Sequence, residues 1–231
     1  MTANYPDNGH IAPPPLRALR RFARTQPIEQ ASAEHCELCG EVLASEHRHL
    51  LDLSSRACLC ACDACTLLFA GERQQARYRA IPRRVLLLSD FQLGEAQWEA
   101  LMLPVNMVYI FRTAQGARAF YPSPAGAMES LLGLEQWQGI LAANPVLEEM
   151  EKDVEALLIN RVREQREYYL APIDVCYQLV GKIRLHWRGL SGGQEAWEEI
   201  RAFFEHLQVQ ATIYTRPTRS PTDGGEQPCQ R

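Results

Sequence analysis

Lysine is nearly missing from this 231-residue chain: Lys152 and Lys182 are the only two, so arginine carries almost all of the positive charge. A deficit spread over the whole chain reads as compositional bias rather than as a recognition patch. The net charge of −4 argues against bulk attraction to nucleic acid or to an anionic membrane. No apolar run approaches the roughly 20 residues that a membrane-spanning helix requires. The opening stretch, MTANYPDNGHIAPPP, lacks a basic segment followed by an apolar one, so a cytoplasmic protein without a secretory signal is expected. There is no phosphate loop, no G-x-S-x-G and no H-E-x-x-H. Without these signatures the reading is non-enzymatic.

Cysteine, by contrast, is concentrated. RACLCACDAC at 56–65 puts four thiols into eight consecutive positions, and HCELCG at 35–40 supplies two more. In a reducing compartment such clusters read as metal ligands before they read as disulfides. Zinc takes four tetrahedral ligands, and two thiolates separated by two residues grip one edge of that tetrahedron. Cys36 and Cys39 have this spacing, followed by Gly40, where a tight turn around a metal favours positive φ. Cys62 and Cys65 repeat it, with 22 residues between the two pairs, slightly beyond the usual ~15–20. The expected ligands are therefore Cys36, Cys39, Cys62 and Cys65. Cys60 is a possible substitute, because Cys58, Cys60 and Cys62 would share a face of an extended strand. Otherwise Cys58 and Cys60 read as small buried hydrophobes. His35, His47 and His49 are also candidates for a mixed site, although each alone reads more simply as a solvated turn or strand residue. Zinc is preferred over a rubredoxin-type iron because Thr66, not glycine, comes after the second pair. Four protein thiolates leave no open coordination position, so such a metal would stabilise the fold rather than hydrolyse anything.

The remainder implies an α+β protein: a small zinc-ribbon-like β module followed by a mixed α+β domain with amphipathic C-terminal helices. Residues 1–33 are expected to form a mobile tail whose LRALRRFAR segment is at most a short basic amphipathic helix. The ribbon-like module occupies 34–70, a basic linker or helix 71–84, the α+β domain 85–212, and a Pro/Gly-rich disordered tail 213–231 that includes Cys229. Within the domain, VLLLSD at 85–90 and NMVYIF at 106–111 read as strands, with ARAFY as hairpin partner to the second. VEALLIN fits either continued helix or a buried strand, and the strand reading, paired with REYYL, is preferred. Leu93–Leu103 reads as a helix, as does a segment opened by Ser123-Pro124, a capping residue followed by proline at the first helical position. Short helices are expected over 134–142 and from Asn144-Pro145. Cys176, Leu179, Val180, Ile183 and Trp187 recur at helical spacing, which makes Cys176 a core residue and not a nucleophile served by Asp174 or His186. Ser191 and Gln194 match a capping box opening a last helix with Trp197, Ile200, Phe203, Phe204 and Leu207 inward.

Together HCELCG, CDAC, LPVNM and PIDVCYQLVGKIRLHWRGLSGG resemble an uncharacterised bacterial family, a domain of unknown function found near actinobacterial-type nickel–iron hydrogenase genes. The resemblance spans roughly residues 35 to 207 and implies an accessory role in hydrogenase assembly or electron delivery, without assigning any functional residue. Three functions stand as expectations. The first is a non-enzymatic zinc-ribbon accessory or adaptor with a protein partner, such as a hydrogenase or its assembly machinery. The second is a redox protein holding iron or a thiol switch. The third is a nucleic-acid binder using Arg73, Arg77, Arg79, Arg83 and Arg84, which the acidic charge disfavours.

Overall fold

The structure, a computed structural model, describes residues 33–71, 76–130, 133–189 and 191–214. The expected basic tail and its LRALRRFAR segment, Arg73, and the C-terminal tail with Cys229 lie outside the described residues. The described part is mixed α+β, with the cysteine cluster near its N-terminal end.

Two sheets organise it. The smaller has strands β1 (Arg48–Asp52), β2 (Cys58–Ala61) and β3 (Tyr78–Ala80) in the order β2-β1-β3, all antiparallel. A helix α1 (Asp63–Phe69) comes directly after β2. Within 71–84, expected as a basic helix or linker, Tyr78–Ala80 is instead this third strand; its three residues are half-buried against β1. The larger sheet has seven strands in the order β10-β4-β9-β8-β5-β6-β7. They are β4 (Leu86–Leu87), β5 (Met107–Thr113), β6 (Gly116–Ser123), β7 (Gly126–Ser130), β8 (Glu155–Asn160), β9 (Glu167–Pro172) and β10 (Thr212–Ile213).

Both faces of the large sheet are covered, which explains its sequence. On one face Tyr109, Phe111, Leu158, Tyr169 and Ala171 pack against helices α4 (Ile173–His186) and α5 (Gly193–Gln210). On the other, Val108, Ile110, Leu157, Ile159 and Leu170 pack against Trp137 and Ile140 of α3 (Leu134–Ala143) and against Leu147 of the 3-10 turn Pro145–Glu149. A strand buried on both sides is apolar at successive positions instead of alternating, as Met107–Phe111 and Ala156–Ile159 are. The expected pairings hold: β5 pairs antiparallel with β6 and β8 with β9. Cys176 is fully buried on the inner face of α4, as its helical spacing required.

Three local expectations are corrected. Ser123-Pro124 does not start a helix; it is the turn of the β6–β7 hairpin, where the Ser123 hydroxyl accepts from Ala125 N–H at 3.2 Å and donates to Gly126 O at 2.8 Å. Leu93–Leu103 is helical only over Glu95–Glu99, which is α2. The last helix begins one residue later than the Ser191 capping box implies, with Gly192 at φ +89° as its cap. The indoles of Trp187 and Trp197 hold this loop, donating to Gly189 O at 3.0 Å and Ser191 O at 2.9 Å.

One buried charge ties the start of the large sheet to its middle. Glu155 is fully buried on β8, and the Arg84 guanidinium grips both its carboxylate oxygens, at 2.6 and 2.8 Å. Glu151 N–H donates to the same carboxylate at 2.8 Å. Arg84→Ala would leave that carboxylate buried without its cation, so denaturant unfolding should show a loss of about 3 kcal/mol. Replacing both partners, Arg84→Met with Glu155→Leu, should recover most of that loss. Equal stability of Arg84→Ala and the parent would refute this account.

Candidate metal centre

The small sheet and the segments flanking it gather the cysteines. The first pair sits on the turn at 36–40. Cys36 N–H donates to Glu41 O at 2.7 Å, Gly40 N–H donates to Cys36 O at 2.8 Å, and Gly40 lies at φ +79°, the conformation expected of it. This turn is stapled to β2 from both sides: Glu37 N–H donates to Cys60 O at 2.9 Å, and the Glu37 carboxylate accepts from Cys60 N–H at 2.6 Å. The second pair straddles a helix start. Cys62 caps α1, and its sulfur accepts from Cys65 N–H at 3.4 Å. Because the chain continues as helix, Thr66 needs no positive φ, and its hydroxyl donates back to Cys62 O at 3.0 Å. That is the physical reason no glycine is required after the second pair.

The four sulfurs of Cys36, Cys39, Cys62 and Cys65 lie within 4.8 Å of one another. Cys39 Sγ and Cys62 Sγ, one from each pair, are 3.7 Å apart. A tetrahedron of thiolates around zinc, with bonds of about 2.3 Å, has edges of about 3.8 Å. The donor set therefore fits a tetrahedral ion without rebuilding the backbone, and these four cysteines could hold a metal. Without a cation the thiols of the cluster differ in acidity. Burial pushes Cys36 up, but backbone N–H groups of Cys62, Leu38 and Cys39 outweigh it and bring it to about 6. Burial and the neighbouring sulfurs of Cys39, Cys62 and Cys36 push Cys65 up instead. A divalent cation would relieve that mutual repulsion, since thiolates bound to it are deprotonated outright.

The other thiols are elsewhere. Strand β2 ends at Ala61, so Cys62 does not continue the alternation that would have placed it on one face with Cys60. Leu59 and Ala61 face the sulfur cluster, packed with Leu50. Cys60 points the other way, opposite His49 in the strand register, and groups with His47 and His49. Cys58, opposite Leu51, packs against the main core, and burial pushes its thiol up to about 12. His35 is exposed on the first turn. His49 Nδ1 is 2.7 Å from Asp174 Oδ2 at the start of α4, and that hydrogen bond raises the imidazole above its ordinary pKa despite burial. The sequence offered Asp174 only as a neighbour of Cys176. Its contact with a histidine 125 positions earlier has no local signal.

Burial raises the Cys176 thiol well above its ordinary range, so it is chemically quiet. In metal-stripped native protein, alkylation followed by peptide mapping should label the exposed Cys39 readily and Cys176 only after denaturation. Equal native labelling of the two would contradict this placement.

Residues 35–211 match DUF5947, a family of unknown function. No curated protein and no solved structure matches the chain. The matched region holds all four clustered sulfurs and every strand of the large sheet except the last two-residue edge, and it covers well over half of the 231 residues. The chain therefore belongs to this family of unknown function.

Proposed function

We propose that the protein is a non-enzymatic zinc-ribbon adaptor, in which Cys36, Cys39, Cys62 and Cys65 hold one zinc ion and the ribbon presents a docking surface to a protein partner. The observation that carries this reading is the apolar run immediately after the second cysteine pair. Leu67, Leu68 and Phe69 on α1 are 84%, 77% and 48% exposed. Three adjacent apolar side chains in water mark a surface that another protein covers. A metal that locks Cys62 and Cys65 would hold this helix in place, and with four protein ligands it would offer no coordination position for catalysis.

The arginines support the same choice against nucleic acid. Arg77 donates to Asp52 at 2.9 Å, Arg79 to Asp153 at 3.1 Å, and Arg84 to Glu155 at 2.6 Å. Cations already engaged with carboxylates leave little for phosphate. The family resemblance makes a nickel–iron hydrogenase, or its assembly machinery, the partner to test first.

Purified full-length protein should be colourless and contain zinc; a coloured protein containing iron would favour the rubredoxin-like redox alternative. Affinity purification from the native host should enrich hydrogenase subunits or assembly proteins. Leu67→Glu with Leu68→Glu should abolish that enrichment while leaving zinc content unchanged. Capture of ribosomal or transcriptional proteins instead would overturn the hydrogenase assignment, and undiminished capture by the double variant would overturn the docking surface.

A further inference from the structure

The second side of the β1–β2 hairpin carries a second set of metal-ligating atoms. His47, His49 and Cys60 each place a ring nitrogen or sulfur within 4.8 Å of the others. The strand register explains the grouping: Cys60 is directly opposite His49, and His47 lies two residues before His49, hence on the same side. The two imidazoles meet edge to face, with centroids 4.9 Å apart.

Hydrogen bonds settle which nitrogens are available. His47 Nδ1 is 3.0 Å from Ala44 O. A carbonyl only accepts, so Nδ1 carries a proton, with the Glu34 carboxylate 3.4 Å away on the same side, and Nε2 is the nitrogen left for a metal. The His47 side chain is only 8% exposed, yet its Nε2 is buried and has no hydrogen-bond partner among the described residues. An unpartnered buried nitrogen is costly and calls for an explanation. His49 is arranged in the same way, with Nδ1 engaged by Asp174 Oδ2. The other oxygen of Asp174 accepts from Val175 N–H at 2.9 Å, which fixes the carboxylate. Metal-bound histidines characteristically donate their second nitrogen to a carboxylate or a backbone carbonyl. Here one histidine does each.

We propose that His47 Nε2, His49 Nε2 and Cys60 Sγ form a second zinc site, separate from the four-cysteine site and completed by an exchangeable solvent ligand. Two imidazoles and one thiolate suit zinc, and three protein ligands with one open position contrast with the closed set on the other side of the hairpin. Solvent reaches the site through its other two members: the His49 side chain is 28% exposed and Cys60 is partly exposed. Asp174 acts through His49 as a positioning residue and not as a ligand.

The test uses full-length protein, purified with zinc, with metal and protein quantified independently. The parent should bind two zinc ions per chain. His49→Gln and Cys60→Ser should each lose one of them and keep the other, while Cys39→Ser should lose the opposite one. Asp174→Asn should weaken zinc binding at the second site alone, by about 10–100-fold. Should a variant misfold by circular dichroism, cobalt-loaded parent protein decides: absorption from two distinct sites, one of mixed nitrogen and sulfur ligation, is expected. One metal per chain with a purely tetrathiolate cobalt spectrum, unaffected by His49→Gln, would overturn the second site while leaving the adaptor reading intact. Loss of metal in His49→Gln but not in Cys39→Ser would instead sink the four-cysteine assignment.

Discussion

The period-two alternation of the β1–β2 hairpin is the constraint on which the rest of the N-terminal half depends. Side chains of a strand alternate between its faces, and each face of this hairpin packs against a different hydrophobic cluster. Leu50, Leu59 and Ala61 face the sulfur cluster with Cys36 and Cys65. Leu51 and Cys58 face the main core beneath α4 and β5. A one-residue slip in pairing would exchange the two sets. It would put a leucine where His49 meets Asp174 and remove Cys60 from its place opposite His49. Register therefore governs chemistry as well as packing here. The dense cysteine run 56–65 is divided by it into a pair that joins Cys36 and Cys39, a thiol beside two histidines, and a core residue.

The small sheet has too little apolar material to stand on its own. Its buried set is Cys36, Leu50, Ala61 and Cys65, and so few residues cannot offset the chain entropy of ordering roughly 45 of them. Two sources make up the difference. One is the body of the protein: Leu51 and Ile81 enter the main core, and Asp153 receives Arg56 at 3.0 Å and Arg79 at 3.1 Å. The Arg56 guanidinium also lies 4.6 Å over the Phe111 ring, a cation–π contact that spans the two sheets. The other would be a metal, because ion binding at a site absent from the unfolded chain is itself folding free energy.

Where a residue's environment derives from its near neighbours in sequence, the fold was legible. NMVYIF announces a strand through its β-branched and aromatic content, VEALLIN fits helix as well as strand because a sheet covered on both faces leaves no polar alternation, and the Cys176–Trp187 spacing announces α4 because one stripe meets the core. Legibility fails where one local signal serves two structures. Ser-Pro caps a helix, but it also supplies the first two positions of a turn. Gly126 at φ +122° belongs to the turn reading, and the pairing of Tyr121 with Met128 realises it. The four-cysteine group was legible from its spacing alone, whereas the grouping of Cys60 with His47 and His49 was not. That grouping requires the hairpin register and the approach of Asp174 on a helix more than a hundred residues away, and neither leaves a trace in local sequence.

The division of labour among the charged residues bears on what the molecule can recognise. A chain with 24 cationic residues and 28 acidic ones could be read as a polar binding surface. Yet the arginines of the ribbon face inward or pair within the chain: Arg56 and Arg79 on Asp153, Arg77 on Asp52, Arg48 on Asp63. What remains outward on α1 is apolar. Specific recognition through such a surface requires that it be held rigid, since ordering a loose helix on binding would reduce affinity. In α1 that rigidity would come from a metal held by Cys62 and Cys65. The residues that would bind metal and the residues that would meet a partner are thus neighbours on one short helix, and in the proposed reading occupancy of the first would be a condition for the second.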